Sequence, residues 1–170
     1  MKKEKKITTP KSSTFPILWF LLLSIIFISI LVIVFSLGFV QDFFIKFTAT
    51  SLYGIMNLLS IPVNLVEPHV LQLSEGTRLR FSIVPDCTGV YPIAILSGII
   101  LAYPARSGKK ILGIIGAVFS SLLVNYIRMI TLMAIAVSSF RAFEIAHLLI
   151  WQTSFVLLVV GYFLWWIRWK

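Results

Sequence analysis

Two long stretches of this sequence cannot be held in water. Ile17 to Val40 is 24 residues without a formal charge, and Leu148 to Ile167 is another 20. About 20 consecutive apolar residues cross a bilayer as a helix, the element that satisfies its own backbone N–H and C=O groups in hydrocarbon. Composition agrees: 59% of the 170 residues are apolar and 12% are charged, against about 45–50% and about 25% in soluble domains. The chain therefore reads as an all-α polytopic membrane protein, with a single membrane domain over residues 1–170. The first stretch is too long for the apolar region of a cleaved signal peptide, about 7–15 residues. No small-x-small site closes it at Leu37-Gly38-Phe39-Val40, so a retained anchor is expected.

A net charge of +9 invites a nucleic-acid reading, but the cations are placed otherwise. Lys2, Lys3, Lys5, Lys6 and Lys11 precede the first apolar run, Arg106, Lys109 and Lys110 share a short loop, and Arg168 and Lys170 end the chain. Ten of the fifteen Lys and Arg thus flank apolar runs, where positive charge marks the cytoplasmic side. No basic patch interleaved with aromatics is left for a nucleic acid. Putting all three clusters inside requires four spans, expected at residues 17–40, 88–104, 111–137 and 146–167, after a disordered basic tail over 1–15. Both termini are then cytoplasmic. Five of the six acidic residues (Asp42, Glu67, Glu75, Asp86 and Glu144) fall outside.

Residues 41–86 form the extracytoplasmic or interfacial segment of this arrangement, and Asp42 and Lys46 are expected to end the first span. Phe47 to Val66 lacks charge but carries Asn57, Pro62 and Asn64, so an interfacial or re-entrant helix competes there with a span. A full crossing would turn the basic loop outward, which favours the interfacial helix. Alternation around Glu75-Gly76 predicts a small β-hairpin over 70–84.

The four-span arrangement brings three reactive side chains to one depth. Cys87, the single cysteine, immediately precedes the second span. Arg128 lies 17 residues beyond Ile111, about 26 Å along a helix at 1.5 Å per residue and close to the far boundary of a core about 30 Å thick. His147 opens the last span.

Each has a bland reading beside the chemical one. A lone cysteine forms no intramolecular disulfide and is most often a small buried hydrophobe. Its setting, Pro85-Asp86-Cys87-Thr88-Gly89, is nevertheless polar and at a helix N-terminus, where backbone N–H groups favour a thiolate and can hold an oxyanion. Asp86 is expected to cap that helix. An arginine within a span either snorkels to the interface or is functional, and Asn125, one turn earlier, shares its face. His147 by itself is an interfacial histidine; beside a thiol it becomes a general base and acid. His69 and Arg141 are the competing imidazole and cation.

Other chemistries fit poorly. The four expected spans contain no carboxylate, which argues against an intramembrane aspartyl protease and an ion-coupled channel or transporter. Two distant histidines without His-Glu-x-x-His argue against a zinc protease. Neither a cofactor nor a metal is expected.

Asp86-Cys87-Thr88-Gly89 at the outer start of a span, Asn125-Tyr126-Ile127-Arg128 late in the next, and His147 opening the last resemble the exosortase/archaeosortase family over roughly residues 70–167. The resemblance implies a membrane-embedded cysteine transpeptidase with Cys87 as nucleophile, Arg128 stabilising the oxyanion or thiolate, and His147 shuttling the proton. Asn125, Asp86, Thr88 and Gly89 would support them. The implied substrates are secreted surface proteins ending in a short motif, a transmembrane helix and a basic tail. They would be cleaved on the outer side and resolved by a lipid, an amine or water. Larger members carry more spans, so this chain would be a trimmed core. The competing class is a non-catalytic membrane scaffold or assembly factor in which Cys87 is a packing residue.

Overall fold

A computed structural model describes residues 14–73 and 79–169. The first helix, α1 (Thr14–Phe35), is apolar on every side, and Ile17, Leu18, Ile25 and Ile33 are all exposed, as suits a helix facing lipid. It stops short of Val40. Leu37 is extended (φ −65°, ψ 130°), which interrupts the helical ladder and starts a second helix, α2 (Gly38–Leu58). Asp42 and Lys46 therefore lie within α2 instead of ending the first span. Thr48, Ala49, Leu52 and Met56 form a buried stripe on α2, so it is amphipathic and lies against the protein.

The chain then enters a sheet of three antiparallel strands in the order β1 (Val63–Glu67), β2 (Val70–Leu73) and β3 (Arg80–Ser82). Strands β2 and β3 are the expected hairpin; its turn at Glu75-Gly76 lies outside the described residues. Strand β1 occupies the end of the stretch expected to be helical, and its pairing with β2 shifts register between Leu65 and Glu67. The change from helix to strand falls at Ser60-Ile61-Pro62. There Ser60 adopts a left-handed φ of 59° and Pro62 removes a backbone donor. Val63, Leu71 and Ile83 of the sheet region pack with Ala49, Leu52 and Met56 of α2 and with Met129 and Met133 further along the chain. This apolar cluster fixes the sheet to one end of the helical bundle.

The bundle is completed by α3 (Val90–Ala102), α4 (Ser107–Ser138), α5 (Phe140–Ile145) and α6 (Trp151–Arg168), with one π-helical turn over Ala146–Ile150. Among the described residues, three helical stretches are long and apolar enough to cross a membrane: Pro16–Phe35, Ser107–Ser138 and Arg141–Arg168. The expected second span is shorter. Helix α3 has 13 residues, or about 20 Å at 1.5 Å per residue. It is the inner helix, with Leu96 and Ile100 fully buried.

Glycines permit the close packing. A Cβ on Gly98 of α3 would overlap Ile28 of α1, and on α4 a Cβ at Gly113 or Gly116 would overlap Trp166 or Tyr162 of α6. Small residues at such contacts let helices approach where lipid offers no hydrophobic drive. Two donors then close the α4–α6 contact: Trp166 Nε1 donates to the Lys109 carbonyl (3.2 Å) and the Tyr162 hydroxyl to the Gly113 carbonyl (2.7 Å). Lys109 and Lys110 donate to the carbonyls of Ile167 and Leu101, while Phe20 of α1 meets the rings of Tyr103 and Phe163. Lys109 and Lys110, expected in a loop, lie in the first turn of α4. The start of α1, the short connection before α4 with that first turn, and the end of α6 thus gather at one end of the bundle, opposite the sheet.

Candidate active site

The segment carrying Cys87 is shaped by its neighbours. Pro85–Cys87 forms one 3₁₀ turn, in which the Cys87 N–H donates to the Val84 carbonyl (2.8 Å) and the Thr88 hydroxyl donates to the Pro85 carbonyl (2.6 Å). Gly89 follows with φ +73° and is itself the N-cap of α3. Asp86 therefore does not cap α3 as expected: the left-handed turn at Gly89 carries the chain into the helix without a side-chain cap. Glycine is required here twice over. The left-handed region penalises any L side chain, and a Cβ would lie 3.2 Å from Asn125 Cβ and 3.3 Å from its Cγ.

Asn125, wholly buried on α4, ties the two helices together. Its Nδ2 donates to the Cys87 carbonyl at 2.8 Å, and its Oδ1 accepts from Arg128 Nη1 at 3.4 Å. The same Nη1 reaches the Asp86 carbonyl at 3.4 Å, and Nη2 meets His147 Nε2 at 3.4 Å. The guanidinium and the Cys87 side chain line the same cavity. At such lengths the group is anchored by several weak contacts instead of one strong pair. Arginine carries donors only, so the contact is a hydrogen bond when Nε2 of His147 is the acceptor.

His147 is presented by the π-helical turn, stacked on Phe143 with centroids 5.7 Å apart. A π turn widens the helix locally and re-aims the side chains on it. Cys87, Arg128 and His147 all line one cavity of about 260 Å³, with residues 80–84 of the sheet region along one side. A second cavity, of about 520 Å³, also touches Arg128 and His147 but is walled by Tyr91, Pro92 and Ile95 of α3 and by Phe155, Val156 and Val160 of α6. One wall of the site is therefore strand; the other is an apolar groove between two helices.

The residues singled out in the sequence (Asp86, Cys87, Thr88, Gly89, Asn125, Arg128 and His147) meet in this one place. The competing cation and imidazole are elsewhere. His69 faces Glu67 at 3.8 Å and lines a separate small cavity with Asp42 and Lys46. Arg141 is exposed on α5. Sequence reading gave the hairpin that forms the strand wall but not its place beside Cys87, and it missed the groove between α3 and α6. Alternation over residues 79–84 hints at a strand, but its nearness to Cys87 depends on the α2–sheet–α4 packing.

No curated protein and no solved structure matches the chain. The family model of transmembrane exosortases matches residues 11–167, a range that includes the whole of the site and both of its cavities. The protein is a membrane protein of exosortase type, and by this match the chain belongs to the transmembrane exosortase family.

Proposed function

We propose that the protein is a membrane-embedded cysteine protease/transpeptidase acting on surface proteins that end in a motif, a transmembrane helix and a basic tail. The observation that supports this reading is the convergence of a thiol, a guanidinium and an imidazole, from three chain segments, on one cavity that shares Arg128 and His147 with an apolar groove. That groove runs beside α6 as far as Val160 and offers an apolar bed for the substrate helix. The bundle end that gathers Arg106, Lys109, Lys110 and Arg168 is cytoplasmic in this reading, and the sheet and Cys87 are extracytoplasmic.

Once the Arg128 donor leaves Nε2 of His147, that nitrogen takes the Cys87 proton, and the thiolate sulfur attacks the scissile carbonyl carbon. The Arg128 guanidinium turns its donors to the developing oxyanion, a role that suits a fixed cation in a site of low dielectric. Collapse breaks the C–N bond, His147 returns the proton to the leaving amine, and a thioester remains on Cys87. A lipid amine, another amine or water then attacks the thioester carbonyl, with His147 taking the incoming proton and the thiol leaving.

Intact-mass analysis of surface proteins with such tails, from cells carrying wild type or Cys87→Ala, tests the reading. Full-length tails should accumulate only in the variant, while the variant protein still reaches the membrane. The mass of the wild-type C-terminus then separates hydrolysis from transfer. Identical mature termini in both strains would reduce Cys87 to packing and leave a scaffold.

A further inference from the structure

The strand wall of the site has an edge on which no strand pairs among the described residues. Leu73 N–H donates to the Leu79 carbonyl (3.1 Å) and Ile83 N–H donates to the His69 carbonyl (2.8 Å). Residues 79, 81 and 83 therefore turn their backbone groups toward β2. In an antiparallel pair the alternate residues turn theirs away, so the N–H and C=O of Arg80 and Ser82 face the other edge of β3. Among the described residues no strand pairs with that edge.

The cavity containing Cys87, Arg128 and His147 runs along it. Arg80, Phe81, Ser82, Ile83 and Val84 all line that cavity. A cavity against one face of a strand would touch alternate residues, whereas five in a row mark a cavity along its edge. The chain then passes directly from Val84 into the turn that carries Cys87. On the far side of Arg128 and His147 lies the apolar groove between α3 and α6.

We infer that the open edge of β3 binds the substrate as an added strand, the extended residues ahead of its transmembrane helix pairing with Arg80 and Ser82. This rests on the proposed function and names how that substrate is held. An occupant that is extended at one end and helical at the other matches both walls. Its extended part completes the ladder, its helix lies in the groove, and the junction crosses the Cys87 thiol. Backbone pairing of this kind supplies affinity without demanding particular side chains, and alternate pockets supply specificity.

The test uses the precursor that accumulates in Cys87→Ala cells. In the full-length protein, Ser82→Pro deletes one outward N–H while sparing the bonds to β2, since proline is tolerated on an edge strand whose N–H faces away from the ladder. Processing of the precursor should slow roughly two- to tenfold for one lost ladder bond, with membrane level and Cys87 alkylation rate unchanged. A second measurement covers misfolding of that variant. Ser82→Cys in the Cys87→Ala protein is oxidised against precursors carrying single cysteines through the residues ahead of their transmembrane helix. Disulfides at every second position support strand addition. Crosslinks at a three-to-four spacing, at no position, or between two copies of the protein overturn it. Wild-type processing by a membrane-resident Ser82→Pro overturns it as well. If no precursor accumulates in Cys87→Ala cells, the proposed function itself has failed; accumulation with indifferent β3 variants removes strand addition alone.

Discussion

Gly89→Ala tests the geometry of the site most directly, because its cost has two separable parts. Gly89 has φ +73°, and holding an alanine in the left-handed region costs about 1–2 kcal/mol. The new methyl would also stand 3.2 Å from Asn125 Cβ and 3.3 Å from its Cγ, inside the roughly 3.5–4.0 Å separation at which carbon atoms attract. Asn125 is wholly buried and must move to relieve the contact, which strains its 2.8 Å bond to the Cys87 carbonyl. For a chain of this size the backbone part alone should lower Tm by roughly 2–8 °C.

The assay uses a feature of the sequence. The five tryptophans report the unfolding of the detergent-purified protein by intrinsic fluorescence in a thermal ramp, whereas Cys87, which lines a cavity, would take up a thiol dye before melting. Asn125→Ala removes Cγ and Nδ2 but leaves the backbone strain. In that background Gly89→Ala should cost less than it does alone, with a coupling of about 0.5–3 kcal/mol. An unchanged Tm in Gly89→Ala would refute the claim that Gly89 makes room for Asn125; strict additivity in the double variant, which keeps the Asn125 Cβ contact at 3.2 Å, would refute only the part played by its amide group.

Arg128→Lys keeps the charge but loses the planar fork that reaches Asp86, Asn125 and His147 together; precursor processing should fall at least tenfold, and wild-type processing would remove Arg128 from the reaction. His147→Ala should abolish processing while His69→Ala and Arg141→Ala retain it, as mass analysis of substrate C-termini would show, because His69 lines a different cavity and Arg141 is exposed on α5. Gly113→Ala should overpack α4 against the Trp166 indole and cost about 1–3 kcal/mol, read as a lower Tm with Cys87 chemistry intact at low temperature.

The main helices and the residues of the site were legible in the chain, for identifiable reasons. A bilayer imposes one requirement on everything that crosses it, so Ile17–Phe35 and Leu148–Ile167 declare themselves by the absence of charge alone. Buried or intramembrane polar residues are costly, so Asn125, Arg128 and His147 stand out against an apolar background. The family match over residues 11–167 agrees with the resemblance that those residues carry. Boundaries were less legible. Nothing in the run from Ile17 to Val40 marks the break at Leu37, which a single extended residue produces. Strand β1 was hidden in an uncharged stretch whose helical part ends at Leu58.

What the sequence by itself determined was local in origin: charge-free length, the polar Asp86-Cys87-Thr88-Gly89 run at the start of a helix, and the spacing that sets Asn125 and Arg128 on one helical face. Tertiary structure decided how these local features meet. Gly98, Gly113 and Gly116 allow α1, α3, α4 and α6 to approach closely, and the apolar cluster of α2, the sheet and α4 brings an open strand edge to the cavity beside Cys87. The physical reason is that span length and polarity act along one helix, whereas lateral contact depends on which surfaces can interlock. Depth in a bilayer can be counted in residues. Neighbourhood cannot, because it is set by packing between segments far apart in the chain.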